Sequence, residues 1–395
     1  MGMHEGSGTS RSSLDAAARA ALSDILRERI ASGDLPSIVA IVVNRDDVVF
    51  LDAVGKRDVA AGAEARPDSI FRIASMTKPV TSLAVMLLVE DGTLGLEDPV
   101  AKHLPDFVQR PVLTRVNPDG TFDTRSATRS ITVRDLLTHT SGIAYPPFDA
   151  KLRRLLAAGV TDADMPAVCD PGARFAYGAG TAILGRLVAA VSGGSLDAFC
   201  ASRIFNPLGM TDTAYAVPAD QASRVVTVHQ RRADGRLEER PNPATIASRG
   251  RGDDGLFSTA RDYGAFMQLF LNRGRSGERR VASEKTIDLM ATNQIGELTL
   301  TAIDSQDPLT ARTFPLGGAK DKFGFGFQVE TPPSPDGMRS AGSLSWSGIF
   351  NTHFWIDPTR GIAVALLMQL LPVNDTAVVD LLLVFERTVY RRLHA

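Results

Sequence analysis

Ser75 and Lys78 are the residues of this chain whose types and spacing point most directly to chemistry. Three positions apart in a helix, a hydroxyl and an amine leave the same face of one turn. The run around them, Ile73-Ala74-Ser75-Met76-Thr77-Lys78-Pro79-Val80, opens a segment with Val80, Leu83, Ala84, Leu87 and Leu88 at helical spacing. Met86 and Val89 fill the other faces, so this helix is predicted to be buried nearly all round. Pro79 falls in the first turn, where its missing N–H costs little, and Asp91-Gly92 supplies the stop. A lysine leading such a helix cannot simply face water, and both burial and the positive helix end disfavour its ammonium. From a reference pKa near 10.4, taking the proton off at pH 7 costs about 4.6 kcal/mol, much of which such a site can supply. The pair therefore suits a serine nucleophile with an amine beside it. Ser-x-x-Lys also arises by chance roughly once in a chain this long, so the remaining residues have to carry the reading.

The elements that would hold the pair follow from periodicity and breakers. Residues 14–31 predict an amphipathic helix, broken at Ser32–Pro36. Residues 38–43 predict a buried strand, 44–47 a turn and 48–51 its hairpin partner. Residues 93–131, with Pro99, Pro105, Pro111 and Pro118, are mostly turn chemistry. Helices are expected at 133–137, within 150–168, at 181–192, 195–205, 259–272 and 283–292. Residues 216–250 look polar and irregular, and 297–322 a long surface loop. Strands are expected at 324–329, 339–342, 352–356 and 361–367, and a last helix at 375–393. This order implies an α+β chain of two lobes. Residues 1–74 and 297–395 would form an α/β lobe, an antiparallel sheet carrying the terminal helices. Residues 75–296 would form a mainly helical lobe, with the Ser75 helix starting in the cleft where the two meet.

Composition narrows the function classes. With 395 residues, 44% hydrophobic and 22% charged, the chain has ordinary globular-enzyme content. Its 43 basic and 45 acidic residues nearly cancel, which gives no reason to expect nucleic acid or an anionic membrane as partner. Cys169 and Cys200, the only cysteines, rule out a disulfide framework or a cysteine-rich metal site. Residues 1–13 lack an apolar signal core and no apolar run approaches a membrane span, so a cytoplasmic setting is expected. No His-Glu-x-x-His is present, and neither metal nor cofactor is expected. No Gly-x-Ser-x-Gly occurs, which argues against an α/β-hydrolase triad; His139 and His353 read as structural residues. Gly250-Arg251-Gly252-Asp253-Asp254-Gly255 spells a dinucleotide-type glycine pattern, but no strand precedes it and two aspartates would repel phosphate.

Six pieces, the Ser75 run among them, stand in a telling order: Phe71-Arg72-Ile73-Ala74-Ser75-Met76-Thr77-Lys78, Leu136-Leu137-Thr138-His139-Thr140-Ser141-Gly142, Phe175-Ala176-Tyr177, Pro207-Leu208-Gly209-Met210-Thr211-Asp212-Thr213, Gly255-Leu256-Phe257-Ser258-Thr259 and Trp346-Ser347-Gly348-Ile349. On these the chain resembles the serine β-lactamase-like superfamily, above all its family VIII carboxylesterase branch, related to class C β-lactamases and DD-peptidases. The resemblance implies Ser75 as nucleophile, Lys78 as general-base lysine, Tyr177 as the tyrosine of the second motif, and an oxyanion hole from the backbone N–H groups of Ser75 and Ile349. It also departs from the penicillin-recognising relatives twice. Tyr177-Gly178-Ala179 stands for Tyr-x-Asn, and Trp346-Ser347-Gly348 for Lys-Thr-Gly. Losing the amide and the cation weakens recognition of anionic amide substrates and leaves a more apolar pocket. Trp346, Ser347, Gly348, Tyr145, Phe148, Phe314 and Phe350 are the candidates to line it. The implied activity is a carboxylesterase acting on a small-molecule ester through an acyl-Ser75 intermediate, with Lys78 and Tyr177 as a coupled base pair. An acyltransferase on the same site is the alternative, then a β-lactamase or DD-peptidase, then a catalytically silent binding homologue. A homo-oligomer is left open.

Overall fold

Strand β1 (Ser37–Asn44) is buried along its whole length. Its residues are apolar on both faces, as a strand covered by helices on both sides requires. In this computed structural model, which describes residues 12–248, 250–300, 303–313, 320–331 and 338–394, β1 lies inside an eight-stranded sheet. The other strands are β2 (Val48–Asp58), β3 (Ala63–Glu64), β4 (Lys322–Phe323), β5 (Gln328–Val329), β6 (Leu344–Gly348), β7 (Thr352–Asp357) and β8 (Ile362–Leu367). Their spatial order is β4-β5-β6-β7-β8-β1-β2-β3, every pair antiparallel. Strands from the two ends of the chain thus join at β1 and β8, with Val39 opposite Leu367 and Val43 opposite Ala363.

The two faces sort by the period of two. Ile38, Ala40 and Val42 meet helix α1 (Ala16–Ala31) through Leu22 and Leu26, and the last helix, α4 (Thr376–Arg392), through Val378, Leu381 and Phe385. Val39, Ile41 and Val43 face the other way, into a core shared with α2 (Thr77–Glu90) and α3 (Ala260–Leu271). α3 approaches the sheet closely: a Cβ on Gly264 would stand 3.0 Å from Ile41 Cδ1. The chain is α+β, and among the described residues no single helix is long and apolar enough to cross a membrane.

Several expected elements differ in detail. The helical segment within 150–168 is only Ala150–Ala157, because Gly159 turns to φ 89° and ends it. Residues 216–250 are not simply irregular. Val228–Arg231 and Leu237–Arg240 form a hairpin around Asp234-Gly235, which Leu370–Leu371 extends in parallel; polar residues on both strands, buried His229 and Gln230 and exposed Glu238 and Arg240, hide the alternation. The expected strand at 339–342 is a turn, with Gly342 at φ 86° and Arg339 drawn aside by Glu386 at 2.8 and 2.7 Å; extension begins at Leu344. The 324–329 run is the end of a hairpin, β4 turning into β5 with Gly326 at φ 92°. Within 297–322, most described residues are exposed or half-exposed, as a surface loop requires, but Leu300 and Ala311 are fully buried and Ala311 bridges Val373, which anchors the segment to the core.

Candidate active site

The turn carrying Ser75 is set by its neighbours on every side. Phe71-Arg72 pairs antiparallel with Phe257-Ser258, and the side chain of Gln369 brackets Arg72, accepting from its N–H at 3.2 Å and donating to its carbonyl at 3.0 Å. Ile73 N–H donates to Leu256 O at 3.0 Å. Ala74 then adopts φ 45°, a left-handed conformation that a residue with a Cβ rarely takes. Ser75 follows in a short 3₁₀ turn (Ala74–Met76) that leads into α2. Beneath it the Tyr263 hydroxyl donates to Met76 O at 3.0 Å, and Thr81 Oγ1 donates to Gly252 O at 2.7 Å. β6 comes so near that a Cβ on Gly348 would lie 2.4 Å from Ile73 O and 2.3 Å from Thr352 Oγ1. Glycine in the third motif is a demand of this close approach.

Lys78 is 2% exposed. Its Nζ donates to Ser75 Oγ at 2.9 Å and to the main-chain oxygen of Asp253 at 2.8 Å. Tyr177 reaches the same serine oxygen, its hydroxyl 2.8 Å from Oγ. A hydroxyl, an amine and a phenol from distant parts of the chain therefore meet at one atom. Tyr177 is held by a ring cluster: His139 at 5.0 Å, Trp346 at 5.1 Å, Tyr145 at 5.3 Å and Phe148 at 5.9 Å between centroids. Its main chain is pinned as well, since Tyr145 N–H donates to Tyr177 O at 3.1 Å. A Cβ on Gly178 would sit 2.0 Å from Ile143 O, so that position too admits only glycine.

Ser75 and Tyr177 open onto a cavity of about 510 Å³, while Lys78 lies below its floor. Tyr145, Phe148, Trp346, Ser347, Gly348, Ile349 and Phe350 all line the cavity; Phe314 lies outside the described residues. His139 and His353 do not line it. Both are buried, and burial pushes each imidazole down to about 3, with Lys78 adding to the effect at His139 and Arg339 at His353. Each is neutral at ordinary pH.

The residues that spacing did not bring forward come from the glycine-rich run. Gly252 packs against the helix Gly180–Ser192, where a Cβ would stand 2.4 Å from Thr181 O and 2.9 Å from Gly185 Cα. That contact sets Asp253 beside Lys78. The Asp253 carboxylate is 1% exposed; it accepts two bonds from Arg251, each 3.0 Å, and one from the Tyr145 hydroxyl at 2.5 Å. Burial would raise its pKa, but Arg251, Lys78 and Tyr145 together hold it below the usual carboxylate range. Burial and the Asp253 charge push the Tyr145 phenol well above its ordinary value. Burial and the same charge raise Asp254. The repeated glycines next to the Gly255-Leu256-Phe257 piece were the available signal for this close-packed segment.

Comparison with known proteins now decides the family: the beta-lactamase profile matches residues 22–388. The chain belongs to the beta-lactamase family. Among its relatives in that family, esterase EstB of Burkholderia gladioli is 30% identical over 393 residues, covering 90% of this chain and 91% of that one. Monacolin J acid methylbutanoyltransferase of Aspergillus terreus is 29% identical over 413 residues, covering 95% and 98%. Unliganded simvastatin synthase from Aspergillus terreus superposes on this beta-lactamase-family fold with a TM-score of 0.81 at 26% identity, covering 95% and 98% of the two chains. The fold is thus shared with proteins named as ester-cleaving and as acyl-transferring.

Proposed function

We propose that this protein is a carboxylesterase acting on small-molecule esters through an acyl-Ser75 intermediate. The observation that carries this reading is the meeting of Lys78 Nζ at 2.9 Å and the Tyr177 hydroxyl at 2.8 Å on Ser75 Oγ, at the floor of a cavity lined by Tyr145, Phe148, Trp346 and Phe350 as well as by Arg72, Arg251 and Arg312. In this mechanism the Lys78/Tyr177 pair takes the serine proton as Oγ attacks the ester carbonyl. The backbone N–H groups of Ser75 and Ile349 receive the negative charge that develops on the carbonyl oxygen. The pair then returns the proton to the departing alkoxide and draws another from water, whose oxygen attacks the acyl-serine; the acyl–Oγ bond breaks, the acid leaves, and the pair gives that proton back to Ser75 Oγ. Trp346, where penicillin-recognising relatives carry lysine, offers no cation to a substrate carboxylate and favours a neutral ester over a lactam. Trp346, Phe148 and Phe350 form the acyl wall in this reading. The site lies where residues 1–74 and 297–395 meet the mainly helical 75–296.

A second reading, transfer of the acyl group to an alcohol in place of water, is favoured by the Aspergillus terreus relative, which is named for methylbutanoyl transfer. Both readings need the same acyl-serine. A fluorophosphonate probe is expected to label wild-type protein at Ser75 and to leave Ser75→Ala unlabelled and without turnover of p-nitrophenyl butyrate. Near-normal turnover by folded Ser75→Ala overturns the assignment. A chromogenic cephalosporin run in parallel separates ester from lactam, and added alcohol acceptors separate hydrolysis from transfer.

A further inference from the structure

Lys78 Nζ sits in a shell whose charged and titratable members come from four segments. The loop after the helix Val133–Leu137 contributes His139 and Tyr145, whose ring lies 5.3 Å from Nζ. Tyr177 follows from its own loop, its ring at 5.0 Å. The run 250–256 contributes the Asp253 carbonyl at 2.8 Å and, beyond it, the carboxylates of Asp253 and Asp254, with Arg251 outside them. Ser75 Oγ completes the shell from the turn that opens α2. Because His139 is neutral and the Tyr145 phenol keeps its proton, the formal charges that face the Ser75–Lys78–Tyr177 set from the run 250–256 are Asp253, Asp254 and Arg251, while Arg72 and Arg312 line the same cavity from other segments.

Asp253 stands apart from Asp254, whose side chain is 53% exposed and meets Arg251 only at 3.8 Å. Burial by itself does not single Asp253 out, since Asp357 and Asp375 are buried as deeply elsewhere in the fold; what sets it apart is that its main-chain oxygen holds Lys78 while its carboxylate is paired beside the site. Here the partners are built in. Arg251 grips both oxygens at 3.0 Å and Tyr145 donates to one of them, so the carboxylate is held in one orientation. The same residue's carbonyl holds Lys78 Nζ.

Resting on the acyl-serine reading above, we propose that Asp253, clamped by Arg251 and capped by Tyr145, is a positioning residue whose buried charge decides at which pH the Lys78/Tyr177 pair can accept the Ser75 proton. A nearby negative charge favours the protonated form of both an amine and a phenol. Removing it makes the pair ready at lower pH, whereas removing the Arg251 cation makes it ready only at higher pH.

The test is the pH dependence of fluorophosphonate labelling at Ser75, alongside kcat/KM for p-nitrophenyl butyrate. Asp253→Asn is expected to move the ascending limb of both profiles to lower pH by about one unit. Arg251→Gln is expected to move it to higher pH, and Arg251→Lys, which keeps the charge, to leave the limb in place. A purely structural role would lower the plateau without displacing the limb. Limbs that do not move, or that move in the same direction for Asp253→Asn and Arg251→Gln, overturn the inference while leaving the acyl-serine reading intact. Wild-type protein that fails to label overturns that reading and this inference with it. If Asp253→Asn does not fold, the two Arg251 variants decide alone, with an unmoved limb in Arg251→Gln overturning the inference.

Discussion

Tyr177 and Tyr145 face Lys78 at nearly equal range, their ring centroids 5.0 and 5.3 Å from Nζ. Their rings also pack on each other, 5.3 Å apart. Their hydroxyls end on different partners. Tyr177 reaches Ser75 Oγ, whereas Tyr145 reaches the Asp253 carboxylate, which strengthens its hold on its proton. Distance from a cation therefore does not decide which phenol can serve as a base. Under the proposed mechanism what decides is whether the oxygen meets Ser75 Oγ or a carboxylate. The two loops reach these positions by backbone means: Gly178 lets the Tyr177 loop close onto Ile143 O, and Gly252 lets the Asp253 run settle onto the helix Gly180–Ser192.

Replacing each phenol should break the symmetry most visibly. Tyr177→Phe is expected to lower kcat for p-nitrophenyl butyrate by about 10²–10⁴-fold, the range for loss of a positioned proton acceptor. Tyr145→Phe should cost no more than about tenfold, equivalent to about 1.4 kcal/mol of barrier, because Arg251 still satisfies Asp253. Comparable losses in both variants would erase the distinction.

Gly178→Ala sharpens the comparison from the backbone side. Its Cβ would press on Ile143 O at 2.0 Å, so the Tyr177 loop has to shift. We expect a loss of about 1–3 kcal/mol in urea unfolding, typical of overpacking, together with a fall in turnover larger than that of Tyr145→Phe. Unchanged stability and rate would show that the loop's closeness is not what aims Tyr177.

The smallest effect concerns His139, whose ring supports Tyr177. Its folded pKa of about 3 lies below the ordinary 6.5. A depressed folded value means that the neutral residue contributes stability present above about pH 6.5 and lost as the pH falls toward 3. His139→Asn keeps a residue tolerant of φ 54° and removes that titration. Its unfolding free energy should vary less between pH 7 and pH 4.5 than the wild type's, and equal slopes in the two proteins would contradict this.

Much of the scaffold was legible because local pattern and burial agree. The apolar residues 38–43 predicted a buried strand and lie within β1, and residues 133–137 form the helix expected there, capped by Thr132 and Asp135. Pro79 sits in the first turn of α2, and Gly92 follows its end at φ 73°. The hairpin at 228–240 is hidden by polar residues that are buried on one strand, His229 and Gln230, and exposed on the other, and the extension expected at 339–342 is broken because Gly342 takes a turn conformation. In the site, Ser75 and Lys78 announce themselves by spacing within one helix start. Tyr177, 102 residues away from Ser75, was placed only by motif resemblance. The Tyr145–Asp253 contact spans 108 residues and depends on a glycine–glycine approach that no local period records.

The seam between β1 and β8 has a consequence for how the molecule is made. Val39 leaves the ribosome long before Leu367, its partner across that seam, has been synthesised. At about 5–20 residues per second the first strand waits on the order of tens of seconds for its neighbour. During that interval a strand of Ile and Val is without the partner edge it will bury against, an opening for wrong pairing between nascent chains. Slowing elongation late in the message should therefore lower soluble yield more than slowing it within the first few codons.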